Sequence, residues 1–117
     1  MIEGPLRVRT RAFAIAVLKF LDSLPQTAAS QIIRWQLGRC GTSVAANCRR
    51  ACYAQSTKDF ISKLKTVEEE VDEADFWLDL IVELDLGERF EAARLRSESR
   101  ELRAMTTASI KTARGRQ

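Results

Sequence analysis

Seven carboxylates crowd into twelve residues of this chain: Glu68, Glu69, Glu70, Asp72, Glu73, Asp75 and Asp79. Acids at that density can hold a divalent cation or supply an acid and base pair, but both uses need partners from other elements. Di-metal sites in helical bundles draw carboxylates from several helices and add Glu-x-x-His pairs. Here the acids share one stretch and the chain has no His, which also removes the commonest general base near neutral pH. The run therefore reads as a solvated helix face. Cysteines are the other candidate ligands. Cys48 and Cys52 stand four residues apart and would share a helix face, yet no His and no second Cys pair completes a structural zinc site. Cys40, Cys48 and Cys52 read as small buried thiols. An odd number of cysteines within one segment argues against a disulfide framework and for a reducing, cytoplasmic setting. No catalytic, metal or cofactor site is expected, and the chain reads as a non-enzyme.

The remaining chemistry is cationic. A net charge of +3 hides an uneven spread: residues 1–55 carry eight Lys or Arg against two acids, residues 56–86 three against ten, and residues 87–117 eight against four. One reading pairs the acidic segment with its basic neighbours along helix edges. The sharper one is a basic surface that meets nucleic acid, and its candidates are Arg7, Arg9, Arg11, Arg49, Arg50, Lys111, Arg114 and Arg116. In a bundle the two termini meet at one end, which would cluster most of these groups, and backbone phosphates would be the natural target. No RNA-recognition, zinc-finger or helix-turn-helix signature points to base-specific readout. Trp35 and Trp77 are interface candidates. Trp77 reads as core or subunit contact, and Trp35 as an assembly residue in preference to a base-stacking platform.

These groups need a scaffold. With 117 residues, 45% of them hydrophobic, and only five Gly and two Pro, the composition fits one all-helical domain over 1–117. The apolar spacing predicts four helices, at about 7–23, 27–54, 57–86 and 88–113, with Pro5 and Pro25 outside them. Phe13, Val17, Phe20 and Leu24 mark the first stripe. Ile33, Leu37, Cys40, Val44, Asn47 and Ala51 mark the second. Phe60, Leu64, Val67, Val71, Ala74, Leu78 and Ile81 form a heptad seam of the kind found in antiparallel bundles. In the fourth, Leu95, Leu102, Met105 and Ser109 lie on one line, with Phe90, Ala108 and Ile110 beside it. Ser56 and Asp59 read as a helix start, and Gly87 as the left-handed residue that ends the third helix. Arg7, Arg9 and Arg11 before Ala12–Leu18 look superficially like a signal peptide. Lys19 and Asp22 cut the apolar run short, so an amphipathic helix is the better reading. No stretch is long enough to cross a membrane.

The segment Gly38–Asn47 is unusually small, which suits close approach of another helix. Antiparallel folding about a corner near Gln55 places residue i opposite about 110 − i. This predicts a partly buried bridge from Arg39 to Glu70 or Glu73, with Asn47 also fixing register through a hydrogen bond.

Gly41-Thr42-Ser43-Val44-Ala45-Ala46-Asn47, then Ala54-Gln55-Ser56 with Asp59-Phe60-Ile61 and Lys63-Leu64, resemble a bacterial family. It is the family of proteins encoded in intervening sequences of 23S ribosomal RNA genes. Glu70, Glu73 and Trp77-Leu78 follow at the family's spacing, and Thr107–Ala113 resembles its usual ending. The accessory variability determinant of diversity-generating retroelements belongs to the same structural group. The resemblance implies an up-down-up-down four-helix bundle and assembly into a ring-like homopentamer, and it does not imply a known enzyme activity. Members near retroelements bind nucleic acid and a reverse transcriptase, so the implied partners are further copies of this chain, RNA or DNA, and such an enzyme. Arg49-Arg50 stand where an acidic residue is frequent in the family, and Glu69 where a Lys is common. The alternative expectation is a protein-interaction scaffold with no nucleic-acid role.

Overall fold

The computed structural model describes residues 4–116. They form α1 (Gly4–Leu21), α2 (Ala28–Cys52), α3 (Thr57–Glu83) and α4 (Arg89–Arg114). Each helix packs on its neighbours in sequence, α1 closes the square against α4, and the diagonal pairs do not meet. The result is an up-down-up-down bundle 47 Å long and 19 Å across. One apolar core runs through all four helices.

The predicted stripes of α1, α2 and α3 are the buried ones. All seven residues of the α3 seam and all six of α2, Asn47 included, are buried. α4 departs from expectation. Its buried line is Ala92, Leu95, Ser99, Leu102, Thr106, Ile110 and Ala113, whereas Met105 is only partly buried and Phe90 is 82% exposed. Two small hydroxyls hid the true seam from an apolar count. Thr106 is satisfied by the Leu102 carbonyl at 2.7 Å. Ser99 lies within 2.9 Å of the Asp75 carboxylate on α3, so both can be buried without an orphaned donor.

The ends of the helices also correct the sequence reading. α1 begins at Gly4 and takes in Pro5, because the first turn has no intrahelical use for the missing N–H. Thr27 and Ser56 cap α2 and α3, accepting from the Ser30 and Asp59 amides. α3 stops three residues before the expected Leu86. Asp85, with φ 54°, takes the left-handed position, the Leu86 amide returns to the Ile81 carbonyl and the Asp85 amide to that of Val82. These are the two bonds of a Schellman end. Gly87 (φ +69°) instead lies in the α3–α4 connection, where a Cβ would come within 2.8 Å of Ser23 Oγ and 3.1 Å of Leu24 and Phe20. The Ser23 hydroxyl oxygen in turn accepts the Glu88 amide at 3.1 Å, so the two connections at that end dock on each other. The small strip of α2 faces α1: Cβ atoms at Gly38 and Gly41 would meet Leu21 at 3.2 Å and Val17 at 3.0 Å.

Candidate nucleic-acid interface

The topology gathers cations. The start of α1, the end of α2, the start of α3 and the end of α4 all lie at one end of the rod. Residues 4–13, 45–65 and 106–116 carry eleven Lys or Arg against a single acid, Asp59. That acid is occupied: Lys63 bridges it at 2.7 Å and the Gln55 amide donates to it. Both contacts hold the Asp59 carboxyl below the ordinary carboxylate range.

Six of the eight predicted cations, Arg7, Arg11, Arg49, Lys111, Arg114 and Arg116, are exposed at this end. Among the described residues no carboxylate pairs with them. Arg50 is also exposed and touches only the Asn47 amide oxygen, at 3.4 Å. Arg7, Arg11 and Arg49 line one groove of about 320 Å³ between α1 and α2, with Ala45 and Ala46 as its floor. Arg9 does not belong to this set. It turns toward α4, bridging Glu98 at 2.6 Å and approaching Glu101 at 3.9 Å, and these carboxylates raise its pKa further. The periodicity places Arg9 two residues from Arg7 and Arg11, on a different face of the helix.

Electrostatics separate the members. Arg49, Arg50, Lys111 and Arg114 sit in the last turns of α2 and α4, where cations stabilise a helix. Arg7 sits in the first turn of α1, which has no acid among its residues, so its charge opposes the helix dipole. Helix stability accounts for the first group and leaves Arg7 unexplained. Lys58 and Lys65 are also exposed at this end, and the sequence reading passed over them. Folding back at Gln55 was sufficient signal, since it returns the start of α3 to the level of the termini.

Arg39 reaches across to α3. It bridges Glu70 at 3.4 Å and hydrogen-bonds Glu73, whose carboxylate also accepts from Trp77 Nε1 at 3.1 Å. The Arg39 side chain is 42% exposed, so the contact is half-solvated where a partly buried one was expected. Glu73 is held below the ordinary carboxylate range chiefly by the Arg39 hydrogen bond, which outweighs the opposing effect of burial, with a lesser contribution from Trp77. Asn47 takes no part in this network. Its amide donates to the Ser43 carbonyl and hydroxyl at 2.9 and 3.0 Å, because the carbonyl four residues back on its own helix is the nearest acceptor. It therefore does not fix register between helices.

The carboxylate run is bound up with α4 more than a solvated face would be. Glu68 meets Thr107, Asp72 meets Arg103, and Asp79 meets Arg96, at 2.7, 2.6 and 3.0 Å. Each pair keeps one antiparallel register. No group of three His, Cys, Asp or Glu among the described residues is arranged to hold a metal. Cys40 and Cys48 are buried and Cys52 is half-buried. Burial pushes the Cys40 thiol up to about 12.

Trp35 is 73% exposed. It borders an apolar groove between α1 and α2 with Leu18, Leu21, Arg34 and Gly38. Trp77 is partly buried against the core. On the opposite side of the square, the exposed Val82 lines a groove between α3 and α4 with Leu86, Ala92 and Ala93, and Leu84 and Phe90 are exposed as well. No helix among the described residues is long and apolar enough to cross a membrane.

This four-helix architecture has a solved counterpart. It is similar to a crystal structure of a protein of unknown function from the S23 ribosomal protein family of Bacteroides thetaiotaomicron. The TM-score is 0.80 at 28% identity, covering 91% of this chain and 98% of that one. No curated protein matches the chain. Residues 6–108 match the family described as 23S rRNA-intervening sequence protein. That span takes in the small-residue strip, the Arg39–Glu73 contact and most of α4, and the chain belongs to the 23S rRNA-intervening sequence protein family.

Proposed function

We propose that this chain is a non-enzymatic, homo-oligomeric bundle that binds RNA or DNA through phosphate contacts at its basic end, as a cytoplasmic accessory to a larger nucleic-acid enzyme such as a reverse transcriptase. The observation that carries this reading is charge segregation: once Arg9 and Lys63, which are held in ion pairs, are set aside, nine cations with no carboxylate partner among the described residues gather at one end of a 47 Å rod. Arg7 adds weight, because its place in the α1 first turn costs helix stability and is accounted for by a polyanion. Such binding falls steeply with salt. Four phosphate contacts predict roughly 100-fold weaker affinity between 50 and 200 mM salt. The test is fluorescence anisotropy with labelled oligonucleotides across that range, on the wild type and on Arg49→Glu, Arg50→Glu and Arg114→Glu. No oligonucleotide binding even at 50 mM salt would favour a protein scaffold instead.

Assembly is the second part of the proposal. The two apolar patches, around Trp35 and around Val82, lie on opposite sides of the square. A contact of one patch with the other on the next copy is head-to-tail, and repeating it closes a ring when the rotation allows. This favours a head-to-tail assembly, of which the homopentamer implied by the family resemblance is one form, over a two-fold dimer. A ring would bring five basic ends to one side. Static light scattering measures the stoichiometry directly.

A further inference from the structure

Resting on that reading, we propose that Tyr53 is a base-stacking platform, so that the basic end takes unpaired single strands in preference to duplex. Tyr53 caps the C-terminus of α2 and is 69% exposed. Neither the core nor any hydrogen bond to its hydroxyl among the described residues accounts for this position. A large, rigid ring held out into water beside a polyanion site is the arrangement that stacks on bases.

Its surroundings supply the rest of such a site. Tyr53 is the C-cap four residues after Arg49, so its backbone lies just over one turn, about 6 Å, beyond Arg49 at the end of the helix. Arg49 in turn lines the groove shared with Arg7 and Arg11. Arg50 and Lys58 flank the ring in sequence, on either side of the corner, and both are exposed. A strand whose phosphates follow Arg11, Arg7 and Arg49 reaches the ring with its next base. In a duplex the base faces are covered by their neighbours in the stack, so the ring gains nothing there, whereas an unpaired base offers a free π face. Trp35 is no substitute, because it lies fourteen residues before Arg49, about 21 Å away along the helix.

The sugar is not read by stacking, so RNA and DNA single strands are equivalent ligands for the ring. The experiment is anisotropy at fixed moderate salt with a labelled 12-nucleotide single-stranded RNA, the matching DNA, and the blunt duplex, using the full chain. The wild type should bind both single strands more tightly than the duplex. Tyr53→Ala should weaken single-strand binding roughly 5- to 100-fold, leave duplex affinity in place, and keep the salt slope, since no charge is lost. Tyr53→Phe should bind as the wild type does. Arg49→Glu should weaken all three probes and lower the slope. Equal affinity for single strand and duplex overturns the proposal while leaving the phosphate reading standing. So does an unchanged Tyr53→Ala, or a loss confined to RNA or to DNA. No binding of any probe overturns both.

Discussion

Arg39 illustrates how much a single ion pair contributes when water reaches it. The guanidinium holds two carboxylates, and Trp77 donates to one of them, but the side chain is 42% exposed. Screening then limits the worth of the contact to about 0.5–1 kcal/mol. Arg39→Ala should lower the thermal midpoint by a few degrees, less at high salt, as read by circular dichroism. The pH dependence follows from Glu73, whose carboxyl titrates below the ordinary range in the folded chain. Its contribution is present above the unfolded carboxylate value and is lost as pH falls through the lowered folded one. The gap between wild type and Arg39→Ala should therefore close in acid. Cys40 has the opposite sign. Its thiol stays protonated in the fold up to about 12, so the unfolded chain releases that proton first, and stability should decline as pH rises above the usual thiol range. Alkylation followed by mass spectrometry at neutral pH should modify Cys52 ahead of the buried Cys40 and Cys48.

At the scale of elements, the close contact between α1 and α2 depends on two missing side chains. An Ala at position 41 would press its Cβ to 3.0 Å from Val17, a fully buried residue whose β-branched side chain is stiff at χ1. Overpacking costs about 1–3 kcal/mol, and the gain of about 1 kcal/mol in helix propensity offsets part of it. Gly87→Ala faces a left-handed φ as well as a 2.8 Å clash with Ser23, and should cost about 1–3 kcal/mol. Urea melts should rank Gly87→Ala as the more damaging, with Gly4→Ala, which meets nothing, near neutral. Much of this level was legible in the sequence. The 4-3-4 steps of α2 and α3 located the seams because nearly every seam position is apolar. The seam of α4 is hard to see in the sequence because Ser99 and Thr106 fill seam positions, and their burial is tolerated because each hydroxyl is hydrogen-bonded. Asn47 misled in the other direction: an amide on a seam suggested a cross-helix key, yet its reach ends on its own helix.

For the whole molecule, topology turns a modest net charge into a polar rod. Each helix carries some of the cations, and only the up-down-up-down order sums them at one end. The same order sets the Trp35 and Val82 patches on opposite sides, which gives assembly a distinctive test. Trp35→Glu and Val82→Glu should each break a head-to-tail ring while keeping one intact patch. Mixing the two variants should then restore a single interface and yield a heterodimer of about 26 kDa, twice the 13.2 kDa chain, by light scattering. A two-fold contact through either patch alone would leave one of the two variants fully assembled.

The sequence by itself determined the class, the helix count, the seams of α1 to α3 and the family resemblance, because those follow from local spacing and residue size. It also placed Arg39 opposite Glu70 and Glu73, since one corner and an antiparallel pair fix that register. Only the tertiary structure removed Arg9 from the basic set, by turning it onto Glu98, and showed the Tyr53 ring standing in water at the same end. Which charges are neutralised and which aromatic stands in water depend on the side chains that other helices bring alongside. That information is not carried by any one segment of the chain.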